Sequence, residues 1–140
     1  MAKKLARVLL IDDNDVMRSL LRGMLRGEDY DVVGEARNGD QGLELALRLQ
    51  PDIICLDIEM PGKSGIEVLP ALREQLPNTQ VLMVTGHTAR EMVQAAIEGG
   101  AAGYIVKPFN AAKVLDTLAA TVDKLKAAQT TMATKATAVL

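Results

Sequence analysis

Asp52-Ile53-Ile54-Cys55-Leu56-Asp57 holds four apolar residues in an unbroken run that ends on a carboxylate. A half-buried strand would alternate apolar and polar residues. An unalternated run of this length suits a strand covered on both faces, as in a parallel sheet. Asp57 then stands at the carboxyl end of a central strand, the edge at which open α/β sheets bind ligands. Leu9-Leu10-Ile11 is a second such run, and Asp12-Asp13 follows it at once. Two strand ends therefore offer three acids to one place. Three converging carboxylates repel one another, which raises at least one pKa unless a hard cation sits among them. A divalent ion with oxygen ligands, Mg²⁺, is the simplest occupant. Taken singly, each acid reads equally well as a turn or helix-cap residue; the set carries the metal reading.

A chain of 140 residues is one domain with room for a real core. Its net charge of −2 creates no basic field to attract nucleic acid or an anionic membrane. Cys55 is the only cysteine, which excludes an intrachain disulfide, and its place in an apolar run marks a small buried hydrophobe. Met1-Ala2-Lys3-Lys4-Leu5 has no long apolar segment behind it, as a secretory leader would. No stretch approaches the ~18 apolar residues of a membrane span. The expected location is cytoplasmic.

Outward from the central run, the chain alternates strands and helices. Residues 6–11 read as the first strand. Asn14 or Asp15 can cap a helix whose apolar face is Val16, Met17, Leu20, Leu21, Met24 and Leu25. Arg18, Arg22 and Arg26 recur at i, i+4 and i+8 and read as a solvated face. Gly27 is a plausible stop. Residues 30–36 form a second strand, whose polar flanks suggest a sheet edge. Asn38-Gly39 turns into a helix that Pro51 ends. Residues 58–65 form a loop by their Pro and Gly content. The following helix carries Pro70, which argues for a late start or a small kink. Residues 80–85 form the fourth strand and 103–107 the fifth, with a helix through Met92, Val93 and Ile97 between them. Pro108 breaks the fifth strand, and Asn110 caps a last helix through Leu125. Residues 126–140 are a low-complexity Ala/Thr tail that either extends this helix or is disordered.

Five strands alternating with five helices imply βαβ units and a doubly wound parallel sheet. A flavodoxin-like order of 2-1-3-4-5 sets strands 1, 3, 4 and 5 side by side. Their carboxyl ends carry Asp12-Asp13, Asp57, Thr85 and Lys107; the edge strand carries no marked polar group. A metal held by Asp13 and Asp57 leaves an Asp57 oxygen free as a nucleophile, and carboxylates do attack phosphorus to give aspartyl phosphates. Mg²⁺ and the Lys107 ammonium would neutralise the transferred group, and Thr85 offers a hydroxyl at the same edge.

Asp12-Asp13, Asp57 followed by Met60-Pro61-Gly62, Thr85-Gly86 and Lys107-Pro108-Phe109 together make the chain resemble a receiver domain of the two-component response regulators. In length it is similar to the single-domain chemotaxis-type members. The likeness spans about residues 5–125. It implies that Asp57 accepts a phosphoryl group from a histidine kinase or histidine phosphotransfer protein. It implies Mg²⁺ on Asp13, Asp57 and the main-chain carbonyl of Glu59, with Asp12 acting through water. Lys107 would bind the phosphoryl oxygens, Thr85 would move toward them, and Tyr104, three residues before the lysine, would turn inward. Glu59 and His87 fall at rim positions that tune phosphoryl lifetime in this family.

Two function classes follow. One is a protein–protein switch that catalyses its own phosphorylation and dephosphorylation. It would signal through the 88–125 face, where Ala95, Ala96, Ala101, Ala102, Ala111 and Ala112 offer an apolar, small-residue surface, with phosphorylation-dependent dimerisation a further outlet. The other is an aspartyl-phosphate phosphatase, but those enzymes carry Asp-x-Asp on the first strand, whereas the acid in the apolar run here is on the third. A third reading is the excised receiver of a longer DNA-binding regulator; DNA contact would then need residues outside this domain.

Overall fold

The structure, a computed structural model, describes residues 4–86 and 89–139, with side chains through residue 128. In chain order it runs β1 (Arg7–Ile11), α1 (Asp15–Arg26), β2 (Asp31–Ala36), α2 (Gly39–Leu49), β3 (Ile53–Leu56), α3 (Gly65–Gln75), β4 (Gln80–Thr85), α4 (Arg90–Glu98), β5 (Gly103–Val106) and α5 (Ala111–Val139). The strands form one sheet in the order β2-β1-β3-β4-β5, and every pairing is parallel. This is the flavodoxin-like order expected from the alternation of elements, with β2 at the edge.

The continuous apolar runs turn out to alternate in space. Val8, Leu10, Ile53, Cys55, Leu82, Val84 and Ile105 face a cluster that also holds Leu21, Leu25, Val114 and Leu118 of α1 and α5. Leu9, Ile11, Ile54, Leu56, Val81 and Met83 face the other side, against Ala46, Leu69, Leu72 and Ala96 of α2, α3 and α4. Both faces are dry, so both positions of each pair are apolar and the period of two disappears from the sequence. Ile53, Ile54 and Leu56 are fully buried, and each such side chain contributes ~1.5–3 kcal/mol. Cys55 lies among them as an inert hydrophobe; burial pushes its thiol up to about 12.

Short polar caps start four of the five helices close to the carboxyl edge of the sheet, α4 beginning after Ala89 without a side-chain cap. Asn14 Oδ1 accepts the Met17 N–H at 3.0 Å, so Asn14 and not Asp15 is the cap of α1. Asn38, Ser64 and Asn110 cap α2, α3 and α5 in the same way. Gln50 closes α2 in the left-handed region, φ 50°, just before Pro51. α3 begins at Gly65 and continues through Pro70, so the late start that Pro70 suggested is not taken. α5 continues as helix to Val139.

Arg18 requires a correction. The i, i+4, i+8 spacing placed it with Arg22 and Arg26 on a solvated face, yet only 8% of it is exposed. Its guanidinium reaches over the β1–α1 corner, with Glu35 of β2 and Asp15 as carboxylate partners. Arg22 also binds Glu35, at 2.5 Å. A three-residue charge spacing reports a common direction on the helix and is blind to the acids waiting on the next strand.

Candidate functional site

Of the polar residues predicted for the strand ends, Asp12, Asp57 and Lys107 each sit one position beyond a strand and are still tied to the neighbouring strand, Asp13 lies one position further on, and Thr85 is the last residue of β4. The Asp12 N–H donates to Ala36 O at 3.0 Å, Asp57 N–H to Ile11 O at 3.0 Å, and Lys107 N–H to Thr85 O at 2.8 Å. Their main chains are therefore fixed by the sheet, while their side chains project past its edge. Asp12, Asp57 and Thr85 are buried and Asp13 is exposed.

The structure brings the three acids together. Asp12, Asp13 and Asp57 each offer a carboxylate oxygen, and these oxygens all lie within 4.8 Å of one another. Lys107 Nζ is 2.8 Å from Asp12 Oδ2 and 3.3 Å from Asp57 Oδ2. The second oxygen of Asp12 accepts the Asn14 N–H at 2.8 Å. The Thr85 side chain hydrogen-bonds Asp57.

Electrostatics follow from this sharing. Burial lifts the Asp57 carboxyl above its ordinary range; the Lys107 charge opposes this, Asp12 adds to it, and the Thr85 and Lys107 hydrogen bonds offset it only in part. Burial alone would depress Lys107, but its bond to Asp12 and the charges of Asp57 and Asp12 raise it instead. One ammonium serves two carboxylates and sits closer to Asp12, so the lysine gains and Asp57 remains under-compensated. An oxygen-seeking dication would supply the missing charge. Three carboxylates with one exposed member are a donor set suited to such an ion, so the residues present fit Mg²⁺.

A cleft of about 480 Å³ opens on the acids, lined by Asp13, Asn14, Asp57, Glu59, Met60, Pro61 and Lys107. A larger one of about 620 Å³ lies beside it, sharing Asp13 and Pro61 and extending to Arg37 and Lys63. Of the two, the smaller cleft is the candidate site, because its lining brings the buried Asp57 together with Lys107. Glu59 lines that cleft. Tyr104 is half-buried on the α4 side of the sheet, and burial, aided by the Asp57 charge, raises its hydroxyl above the ordinary value. His87 lies outside the described residues.

Two residues of the site neighbourhood carried no sign of that place in the sequence. One is Arg18. The other is Gly65, read only as part of a glycine-containing loop. A Cβ on Gly65 would lie 2.1 Å from the Asp57 carbonyl oxygen, so the start of α3 rests directly on the backbone of the central acid. The alanine surface of the 88–125 face also needs correction. Ala96 is fully buried, and Ala101 and Ala102 pack against the core. Ala111 and Ala112 are exposed as expected, and the large exposed hydrophobics there are Ile97 on α4 and Val106 on β5. Among the described residues no helix is long and apolar enough to cross a membrane.

The sequence profile of the response regulator receiver domain matches residues 8–119. The chemotaxis protein CheY of Thermotoga maritima is 37% identical over 112 residues, covering 80% of this chain and 93% of that one. The nitrate/nitrite response regulator protein NarL of Escherichia coli is 40% identical over 114 residues, 81% of this chain but 53% of its own length. Among solved structures, the CheX–CheY–BeF3–Mg complex from Borrelia burgdorferi superposes with a TM-score of 0.78 at 29% identity, covering 80% of this chain and 85% of that one.

Proposed function

The chain belongs to the response regulator receiver family of two-component systems, and on that premise we propose that it is a phosphorylation-controlled switch whose acceptor is Asp57. One observation carries this reading: a buried carboxylate at the end of the central strand lies within ligand distance of two other acids and 3.3 Å from a lysine ammonium.

In this reading an Asp57 oxygen attacks the phosphorus of a phosphohistidine on a histidine kinase or histidine phosphotransfer protein. The new bond is O–P, the broken bond is N–P, and the imidazole nitrogen leaves with the bonding pair and takes a proton from solvent water. Asp13, Asp57 and the Glu59 carbonyl hold Mg²⁺, with Asp12 acting through water. Bound there, the ion supplies positive charge to the phosphoryl oxygens. Lys107 exchanges a carboxylate partner for a phosphoryl oxygen. Thr85 turns its hydroxyl from Asp57 to the new group, and Tyr104 moves inward behind it. Support for the metal and for a phosphoryl-like occupant comes from the Borrelia burgdorferi relative, named as a complex with BeF3 and Mg²⁺. We assign the receiver to residues 5–125 and the Ala/Thr-rich remainder to a tail. The output runs through the α4–β5–α5 face to a downstream protein, or to a second phosphorylated copy, in the cytoplasm. The 53% coverage of NarL favours one second reading, in which this domain serves within a longer DNA-binding regulator.

Incubation with acetyl phosphate and Mg²⁺, followed by intact-mass measurement, tests the proposal. The chain is expected to gain one phosphoryl mass, and Asp57→Asn to gain none. Modification of Asp57→Asn at the unsubstituted rate would place the nucleophile elsewhere.

A further inference from the structure

Asp12 is anchored at every polar atom. Its N–H is on Ala36 O, its two carboxylate oxygens accept from Asn14 and Lys107, and its carbonyl accepts from Arg18 Nη1 at 2.5 Å. The first three partners belong to the sheet edge, the adjoining turn, or the site itself. Arg18 reaches in from the first turn of α1, and its guanidinium is spent on three directions at once. Nη1 takes the Asp12 carbonyl, Nη2 the Asp15 carboxylate, and Nε the Glu35 carboxylate at 3.3 Å. Glu35 in turn is steadied by Arg22. A planar fork of donors can bridge three acceptors in fixed relation; a lysine ammonium on its flexible stem cannot reproduce that geometry.

Asp13 lies between two of these anchors, the Asp12 carbonyl on one side and the Asn14 N–H on the other. Its carboxylate is the exposed member of the cluster, so its aim depends on the main chain beneath it. We infer that Arg18 is a positioning residue for the acidic site. It clamps the β1–α1 corner to β2 and so holds Asp12 and Asp13 where their carboxylates meet that of Asp57, without touching the reacting atoms. The inference rests on the reading of this cluster as a Mg²⁺ site, and it assigns to that site a support reaching to the opposite edge of the sheet. Partners outside the ligand shell act in this way at many metal centres, and their loss weakens binding by about 10–100-fold.

Three variants separate this role from plain stability. Arg18→Gln removes the clamp, Arg18→Lys keeps the charge and loses the fork, and Arg22→Gln loses the Glu35 contact but leaves the Asp12 carbonyl alone. Mg²⁺ affinity by calorimetric titration, amide exchange of Asn14 in the metal-free protein and thermal midpoint are read for each. Arg18→Gln is expected to bind Mg²⁺ about tenfold more weakly, with phosphoryl gain restored by excess Mg²⁺. Arg18→Lys is expected to fall between, and Arg22→Gln to bind as the unsubstituted chain does. Unchanged Mg²⁺ affinity in Arg18→Gln, or an equal loss in Arg22→Gln, overturns the assignment. Should Arg18→Gln fail to fold, Arg18→Lys against Arg22→Gln makes the same comparison. If the unsubstituted chain binds Mg²⁺ yet accepts no phosphoryl group, the proposed function fails while the affinity comparison still decides the role of Arg18. If it binds no Mg²⁺, the Asn14 amide decides: faster exchange in Arg18→Gln alone supports the clamp, and unaltered exchange refutes it.

Discussion

Replacing Gly65 by alanine drives a methyl group into the backbone that carries the carboxylate proposed as acceptor. The new Cβ would stand 2.1 Å from the Asp57 carbonyl oxygen, 2.9 Å from its carbon and 3.0 Å from Ile58 Cα. Ordinary contact begins at 3.4 Å, so oxygen and methyl must part by about 1.3 Å. The obstructing atoms are main chain, and two hydrogen bonds resist their retreat: Asp57 N–H to Ile11 O at 3.0 Å and Gly65 N–H to Ile58 O at 2.9 Å. Either the first turn of α3 lifts off, or the end of β3 is pushed toward the cleft. Overpacking of this kind costs ~1–3 kcal/mol, which for a domain of this size lowers the melting temperature by roughly 3–12 °C. The chemical effect should be larger in proportion, because a misplacement of ~1 Å at a reacting group can cost ~100-fold in rate. Gly65→Ala is therefore expected to remain folded by circular dichroism, to melt earlier, and to gain phosphoryl mass from acetyl phosphate about 100-fold more slowly at saturating Mg²⁺. A folded variant that reacts at the unsubstituted rate would show that clearance at position 65 does not set the place of Asp57.

Other outcomes follow from the same geometry. A carboxyl held above its ordinary value in the folded chain binds protons better folded than unfolded, so its contribution favours folding at acidic pH and is lost as pH rises through the folded value. With Asp57 raised by burial, metal-free Asp57→Asn should melt higher than the unsubstituted chain at neutral pH, and the gap should close in acid and on adding Mg²⁺; a lower melting temperature at neutral pH contradicts this. Asp13→Ala removes an anionic ligand from a hard cation and is expected to raise the Mg²⁺ dissociation constant by an order of magnitude or more; calorimetric titration with no change would remove Asp13 from the site. If His87 works at the rim, phosphoryl lifetime should vary between about pH 5.5 and 8, across the ~6.5 of an ordinary histidine, and a flat profile matching that of His87→Ala would make it a bystander. Amide exchange with and without a beryllofluoride mimic should change at 85–107 and stay constant near 30–50, since a ligand shifts only what it binds differentially; the opposite distribution would relocate the output face.

The sheet was legible because burial on both faces leaves a signature that few other elements share. β3 is short, continuous and apolar and is followed at once by Asp57, and β4 carries an unbroken apolar run, Val81 to Val84, that ends on Thr85. The convergence of Asp12, Asp13, Asp57, Thr85 and Lys107 then followed from strand order alone, since neighbours in the sheet have neighbouring ends. What stayed hidden depends on distances between elements. Arg18 looked like any solvated helix arginine because Glu35, its partner, lies 17 residues away on the edge strand. Gly65 looked like loop filler because the atoms it must avoid are backbone, and backbone has no letter in the sequence. Ala96 looked like surface because alanine suits an exposed helix face and a tight helix–sheet contact equally well.

Lys107 meets Asp12 across 95 positions of chain and Asp57 across 50. No segment shorter than that from β1 to β5 contains all the charges of the cleft, and contacts between such distant segments are the slow part of folding a parallel sheet. Helices and the β1–β2 pairing can form early on a growing polypeptide, but the ammonium that moderates the acids has not yet been synthesised. Until it arrives, Asp12 and Asp57 would face each other without a cation, which opposes closing the edge. A divalent ion bound as proposed would bear on the same step by mass action: at a hundredfold excess over its dissociation constant it would favour the completed fold by about 2.7 kcal/mol. Competence for the proposed chemistry therefore waits until β5 and the lysine that follows it have joined the sheet.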